Sequence, residues 1–371
     1  MSAVSRLRRG GMNSLQKVPI KEGFGLINFH SKLHCVPCVQ GVIQASASMN
    51  LTTGNGSTAS SRCTMISDTP SRIGKTIYLG LILAVSLVGN SLIVSIVYKT
   101  PTLRKPINYF IANMAISDLL YVIFCVPFDL SKLHTNSWPV GGQFGQALCK
   151  FVFFFGDVSN AVSIQNLILI AVDRFGAVVF PLRSPLIGSK LCPFFILATW
   201  IVAVVVNLPY LFAFKVVEDS GEMQCELEWE KALGESMPFT KFIVAYYSLL
   251  VYIPIILLAI LYSIIHIKLK TQTHLGEQSA NNQLQRNIRN RNVLQMSIAI
   301  NLAFVFCLLP STTNVLIVKY GASSTVLSCS FWIYFRVTAL ISEAYYIANP
   351  IICFLFTSNY RQGLKRLMNC S

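Results

Sequence analysis

Acidic side chains are scarce in this chain: 15 Asp and Glu stand against 30 Lys and Arg, and charged residues of both signs fill only 12% of its 371 positions. An ordinary soluble domain carries about 25%, so a soluble enzyme is disfavoured before any motif is read. Histidine is equally sparse. His30, His34, His134, His266 and His274 lie in tails, in loops or at the end of an apolar run, so an intramembrane zinc hydrolase lacks its ligands. Residues 1–48 lack the apolar core of a cleavable signal, and either Met1 or Met49 can be read as the start.

What is present instead is hydrophobicity, 53% of residues, gathered into seven runs: 76–98, 107–128, 151–172, 191–214, 242–265, 293–318 and 337–356. Each is long enough to cross about 30 Å of hydrocarbon as a helix. The second carries only Asp118, the third only Asp157 and the seventh only Glu343. Ionised groups at that depth cost several kcal/mol unless they face an interior cavity, which makes these three carboxylates functional candidates.

Basic residues set the orientation. Segments 99–106, 173–190 and 266–292 with the tail from 357 hold fourteen Lys and Arg against two acids, and the opposite loops hold seven basic residues and eight acids. The first set is expected in the cytoplasm. Two glycosylation sequons, at Asn50 and Asn55, precede the first run and require the outside. The expected organisation is therefore an extracellular, glycosylated tail over 1–75, a seven-helix bundle over 76–356 and a cytoplasmic segment over 357–371. The formal charge of +15 follows largely from this topology, and without aromatic interleaving it is no nucleic-acid footprint. His30, His34, Cys35 and Cys38 form a compact cluster that suits either zinc or a small disulfide loop.

Seven motifs then occur in order. Gly89-Asn90 lies in the first run, Met114-Ala115-Ile116-Ser117-Asp118 in the second, and Asp173-Arg174-Phe175 with Pro181 at the end of the third. Trp200 with Pro209, Pro254 with Tyr262, Phe304 with Cys307-Leu308-Leu309-Pro310, and Asn349-Pro350-Ile351-Ile352-Cys353 before Tyr360-Arg361 follow. Over about residues 76–365 the chain thus resembles the rhodopsin-like (class A) G protein-coupled receptors. The resemblance implies an all-α membrane protein, a seven-transmembrane helix bundle with a short amphipathic eighth helix, and no enzymatic activity. Trp138, Phe128-Asp129-Leu130 and Pro181-Leu182-Arg183 point within that family to its neuropeptide branch.

The resemblance also assigns roles. It implies a Cys149–Cys225 disulfide, and Cys63 and Cys329 are placed for a second. Asp118, Ser163 and Asn349 match the family's sodium site, which holds an allosteric ion, and no cofactor is otherwise expected. Asp173, Arg174 and Tyr262 are expected at the G-protein face, Cys370 is a palmitoylation candidate, and arrestin, a receptor kinase and membrane lipids are further partners. Asp129, Asp157, Asn160, Ser311, Thr312 and Glu343 form the expected ligand-facing set. Gly156 stands where aminergic members carry aspartate, and Glu343 where opsins carry the retinal lysine, so monoamine and retinal ligands are disfavoured. Seven of the 15 acids fall in one outer loop: Glu218, Asp219, Glu222, Glu226, Glu228, Glu230 and Glu235. They read either as a solvated loop or as a negative vestibule that steers a cationic or amidated neuropeptide inward. A lipid or other small-molecule ligand is the alternative within the fold. An ion transporter or channel is a distant one, since the runs show no inverted halves.

Three departures bear on signalling. Asn290 replaces the glutamate that in many members clasps the Arg174 equivalent, Leu308 replaces an aromatic switch, and Cys353 replaces a tyrosine. Each removes a restraint on the resting arrangement, so guanine-nucleotide exchange on a supplied G protein should exceed the mock-transfected level without added ligand. Exchange at that level would contradict this expectation.

Overall fold

A computed structural model describes residues 69–135, 137–180, 186–219, 221–273, 281–320 and 329–369, with backbone alone at 219, 271–273, 281–290, 319, 329 and 369. Asn50, Asn55, Cys63, Cys370, Pro181 and the His30–Cys38 cluster lie outside the described residues, as do the side chains of Cys329 and Asn290.

The elements run α1 (Thr69–Lys99), a 3₁₀ turn (Pro101–Leu103), α2 (Pro106–His134), α3 (Gly142–Val179) and α4 (Cys192–Ala213). Then come β1 (Phe214–Asp219), β2 (Glu222–Leu227), α5 (Trp229–Leu233), α6 (Phe239–Tyr247), a π-helical segment (Ser248–Tyr252) and α7 (Ile253–Thr273). The chain closes with α8 (Asn281–Tyr320), α9 (Cys329–Glu343), α10 (Tyr345–Phe356) and α11 (Ser358–Asn369). Among the described residues six helices are long and apolar enough to cross a membrane, and the pair Ser330–Glu343 and Tyr345–Phe356, bent by 44°, supplies the seventh.

The helices outrun the apolar runs because hydropathy marks only the hydrocarbon-crossing part, whereas helical turns continue beyond it. Two consequences matter. Lys75, one residue outside the first run, is on α1, and Asp129, counted with the outer loop by hydropathy, lies inside α2 and is buried. The outer loop 215–241 also departs from a plain charged loop: β1 and β2 form an antiparallel hairpin with Phe214 opposite Leu227, and Gly221 at φ 83° takes the chain through its turn.

The bundle is apolar outward, and polar side chains link the helices within a largely apolar core. On α4, Phe194, Leu197, Ile201, Val205, Leu208 and Phe212 recur at helical spacing and are all exposed, as lipid contact requires. Inside, Trp200 Nε1 donates to Asn113 Oδ1 at 2.8 Å, and Asn113 Nδ2 donates to Asn166 Oδ1 at 3.1 Å and Thr199 Oγ1 at 3.3 Å, joining α2, α3 and α4.

Proline positions explain the close approach of α1 to α10. Pro350 has no N–H to offer the carbonyl of Tyr346 one turn earlier. That oxygen instead accepts Ser86 Oγ and Asn90 Nδ2 from α1, each at 3.0 Å. A Cβ on Gly89 would stand 2.7 Å from Pro350 Cβ, so a residue without a side chain is what lets α1 reach the kink. The Gly89-Asn90 pair is therefore the counterpart of Pro350 on α1. At the inner end α11 docks through Tyr360, fully buried, whose hydroxyl donates to Asn108 Oδ1 at 3.1 Å. Arg361 Nη1 caps the end of α10 by donating to the carbonyls of Phe354 and Leu355 at 2.7 and 2.8 Å.

Candidate functional site

Three polar levels stack along the bundle. At mid-depth α2, α3 and α10 bring Asp118, Ser163 and Asn349 together: Asp118 Oδ1 accepts Ser163 Oγ at 3.2 Å, and Oδ2 accepts Asn349 Nδ2 at 2.6 Å. Ser117 Oγ lies 2.9 Å from Ser163 Oγ, and Asn349 Oδ1 is buried without a protein partner. A carboxylate, two hydroxyls and a spare amide oxygen are hard donors, so the residues fit a small monovalent cation. Tyr345 faces this cluster and donates its hydroxyl to Met114 Sδ at 3.5 Å. One turn outward, Tyr346 stacks on Tyr121 with ring centroids 3.8 Å apart and donates to Asn160 Oδ1 at 2.8 Å.

At the inner level Arg174 and Asp173 form an ion pair, with Nε donating to Oδ2 at 3.0 Å and Nη2 reaching the same oxygen. Tyr262 stands within the field of Arg174, and its hydroxyl accepts Asn301 Nδ2 from α8 at 3.0 Å. Hence α7 and α8 are tied at a tyrosine whose usual partner in the family is replaced by Cys353. Asn301 escapes motif reading, and its only sequence signal is an amide inside an apolar run.

The outer level is organised by the Cys149–Cys225 disulfide, which fastens β2 to α3. Gln146 reinforces it: its Nε2 donates to Phe214 O at 3.1 Å, and its Oε1 accepts Val216 N at 3.0 Å. Trp138 N donates to Met223 O at 2.5 Å, and Lys132 Nζ donates to Gln224 Oε1 at 2.8 Å. The seven acids of this loop are not uniformly free. Glu228 pairs with Lys231 and, at 3.9 Å, with Lys215, and Lys132 stands in the field of Glu222 and Glu226. Glu218, Glu222, Glu230 and Glu235 are the exposed ones.

The six expected ligand-facing residues do not form one cluster. Asp129 and Glu343 are buried near the outer end, where Lys75 of α1 lies in the field of both carboxylates and close to Arg336 of α9. Lys75 thus weakens the negative potential expected at this place, while both carboxylate oxygens of Asp129 lack a hydrogen-bond partner among the described residues. Asp157 lies elsewhere, towards α4 and α6. Asn160 is engaged by Tyr346. Ser311 is buried, and Thr312 donates its hydroxyl back to the carbonyls of Leu308 and Leu309 at 3.1 and 3.0 Å, which spends it on its own helix. Lys75 went unrecognised in the sequence because it falls just beyond the apolar run.

Removing the internal cation tests this balance. Lys75→Met takes one positive charge from beside two buried carboxylates, and the thermal midpoint of the purified protein should fall by the equivalent of about 1–3 kcal/mol. Adding Glu343→Gln to the same variant should recover most of the loss. An unchanged midpoint in Lys75→Met would show that these acids need no such partner.

Comparison with known proteins bears on the whole arrangement. Residues 89–352 match the family described as "7 transmembrane receptor (rhodopsin family)". The chain is 31% identical over 307 residues to the Allatostatin-A receptor of Bombyx mori, covering 79% of each protein. It is 28% identical over 298 residues to the QRFP-like peptide receptor of Branchiostoma floridae, which is 78% of this chain and 76% of that one. To the RYamide receptor of Drosophila melanogaster it is 29% identical over 293 residues, 76% of this chain but only 61% of that protein's length. With an inner Asp-Arg pair, a mid-bundle Asp-Asn contact and a disulfide-pinned outer hairpin on seven spans, the chain belongs to the rhodopsin family of seven-transmembrane receptors.

Proposed function

We propose that the protein sits in the plasma membrane with its amino terminus outside, binds an extracellular peptide bearing a basic or amidated end, and passes that event to a heterotrimeric G protein. The observation that carries the peptide reading is the similarity to receptors whose own names refer to allatostatin-A, RYamide and QRFP-like peptides. The exposed acids of the hairpin favour a cationic partner, and the excess of Lys and Arg in the opposite loops favours the cytoplasm for that side.

The ligand acts by binding the more open arrangement of helices better, which shifts an existing equilibrium by its differential affinity. Pro310 lies inside α8, where the lost backbone bond makes a hinge. Movement of α8 about it breaks the Asn301–Tyr262 bond and lets Arg174 leave Asp173, which opens a groove for a helix of the G protein. The basic inner face and the amphipathic α11 suit anionic lipid headgroups, arrestin and a receptor kinase. Asn50 and Asn55 are the glycosylation sites, and Cys370 the lipidation site, in this reading.

Two experiments address it. A library of amidated peptides tested on the expressed protein should yield a basic member that raises guanine-nucleotide exchange in proportion to its concentration. Ion flux through the protein in liposomes, with no exchange for any peptide, would sink the reading. Sodium, held by Asp118, Ser163 and Asn349, would neutralise the buried carboxylate and favour the resting arrangement. Replacing sodium with N-methyl-D-glucamine should therefore raise ligand-free exchange in the natural protein and leave Asp118→Ala unmoved, whereas equal responses would remove the ion from the mechanism.

A further inference from the structure

The seventh span is broken between Glu343 and Tyr345, where α9 and α10 meet at 44°. Ala344 N donates to Ile341 O at 3.1 Å, a tightened turn that leaves the carbonyl of Leu340 to Tyr78 of α1, whose hydroxyl donates to it at 2.5 Å. Two buried tyrosines open α10 directly after this break. Tyr345 turns towards α8 and α2: its ring stands edge-on to Phe304 with centroids 5.8 Å apart, and its hydroxyl meets Met114 Sδ at 3.5 Å. Tyr346, about a hundred degrees further around the helix, meets three other helices at once. Its carbonyl accepts Ser86 and Asn90 of α1, each at 3.0 Å, and its ring stacks on Tyr121 of α2, with centroids 3.8 Å apart and planes 11° from parallel. Its hydroxyl donates to Asn160 Oδ1 of α3 at 2.8 Å.

These three contacts respond differently to a turn of α10. Two donors from one helix to one backbone oxygen allow a pivot, and two flat rings in stacked contact can slide over each other with little loss, since dispersion has no sharp direction. The hydroxyl bond is short and directional, and it fails once its angle or length is changed by a modest movement. Asn349 lies three residues further along the same helix and donates to Asp118 Oδ2 at 2.6 Å, and Cys353 follows one turn later, fully buried. A rotation that draws Asn349 from Asp118 therefore also parts Tyr346 from Asn160. The break at Ala344 lets α10 turn without carrying α9, which stays fastened to α1 through Tyr78 and to α8 through Asn314 Nδ2, a donor to Thr338 Oγ1 at 2.7 Å.

We propose that the Tyr346 hydroxyl is the latch of α10: Tyr346 is a positioning residue that acts through Asn160 of α3, and release of this one bond frees α10 to turn about Ala344 and to draw Asn349 from Asp118. Tyr345 does not share the role, because a thioether is a weak acceptor and its other contact is ring packing. The inference deepens the receptor reading and rests on it in one respect, that the arrangement freed by release is the one that engages the G protein.

The test uses the purified full-length protein and two variants that act from opposite sides of the bond. Tyr346→Phe keeps the ring on Tyr121 and loses the hydroxyl, and Asn160→Ala removes the acceptor on another helix, so one remains informative if the other fails to fold. Cys353, 0% exposed on α10, reacts with a methanethiosulfonate reagent when α10 opens. Its labelling rate, read from the mass of its peptide, should rise about fivefold in either variant, the population change that one ordinary hydrogen bond supplies. The double variant should exceed neither single one. Ser342→Ala gives up a hydroxyl bond within its own helix, to Ala339 O at 2.6 Å, and should label at the natural rate. Ligand-free guanine-nucleotide exchange per receptor should rise by the same factor in the same two variants. A Cys353 rate unmoved by both, effects that multiply in the double variant, an equal rise in Ser342→Ala, or exchange that falls as labelling rises would overturn the latch. The two readings fail separately. Peptide-stimulated exchange with unchanged labelling discards the latch alone, and labelling that follows the latch with no exchange for any peptide or variant discards the receptor reading alone.

Discussion

A carbonyl oxygen that loses its helical partner inside hydrocarbon must find another donor, because no solvent is available to supply one. Pro350 imposes this demand on Tyr346, and α1 meets it with Ser86 and Asn90. Much of the architecture follows from that contact. Gly89 has to be bare for α1 to approach, and α10 seated in this way holds Asn349 against Asp118 and Tyr346 against Asn160. A missing backbone donor that in water would be a local defect here becomes the joint between α1 and α10, beside a buried carboxylate.

The same scarcity of water gives every buried charge a structural consequence. Asp118 is held by hydrogen bonds from Ser163 and Asn349, Asp173 by Arg174, and Asp129 and Glu343 lie in the field of Lys75. Asp157 Oδ2 has no hydrogen-bond partner among the described residues, and the same holds for both oxygens of Asp129.

Hydropathy located the helices because a long apolar run has few alternatives in sequence space, but it misjudged their ends. Lys75 and Asp129 sit where helix continues past the apolar run, so Lys75 was missed altogether, whereas Asp129 was counted with the outer loop yet still expected to face the ligand. The hairpin of β1 and β2 was hidden by seven acids that suggested a solvated loop, although Gly221 marked its turn. Motif reading found Asp118, Asn349, Arg174 and Tyr262 but not Asn301, which is a single polar residue within an apolar stretch and carries no spacing pattern of its own.

Composition, run length and the distribution of basic residues were enough to determine a seven-span membrane protein and to indicate which carboxylates lie deep, because the bilayer penalises polarity in a way that depends only on local sequence. Which acid has a counter-ion, which hydroxyl is spent on its own helix and which acceptors stay open were decided only by the tertiary structure. Those outcomes turn on distances of a few ångströms between helices far apart in the chain, and no local pattern encodes them.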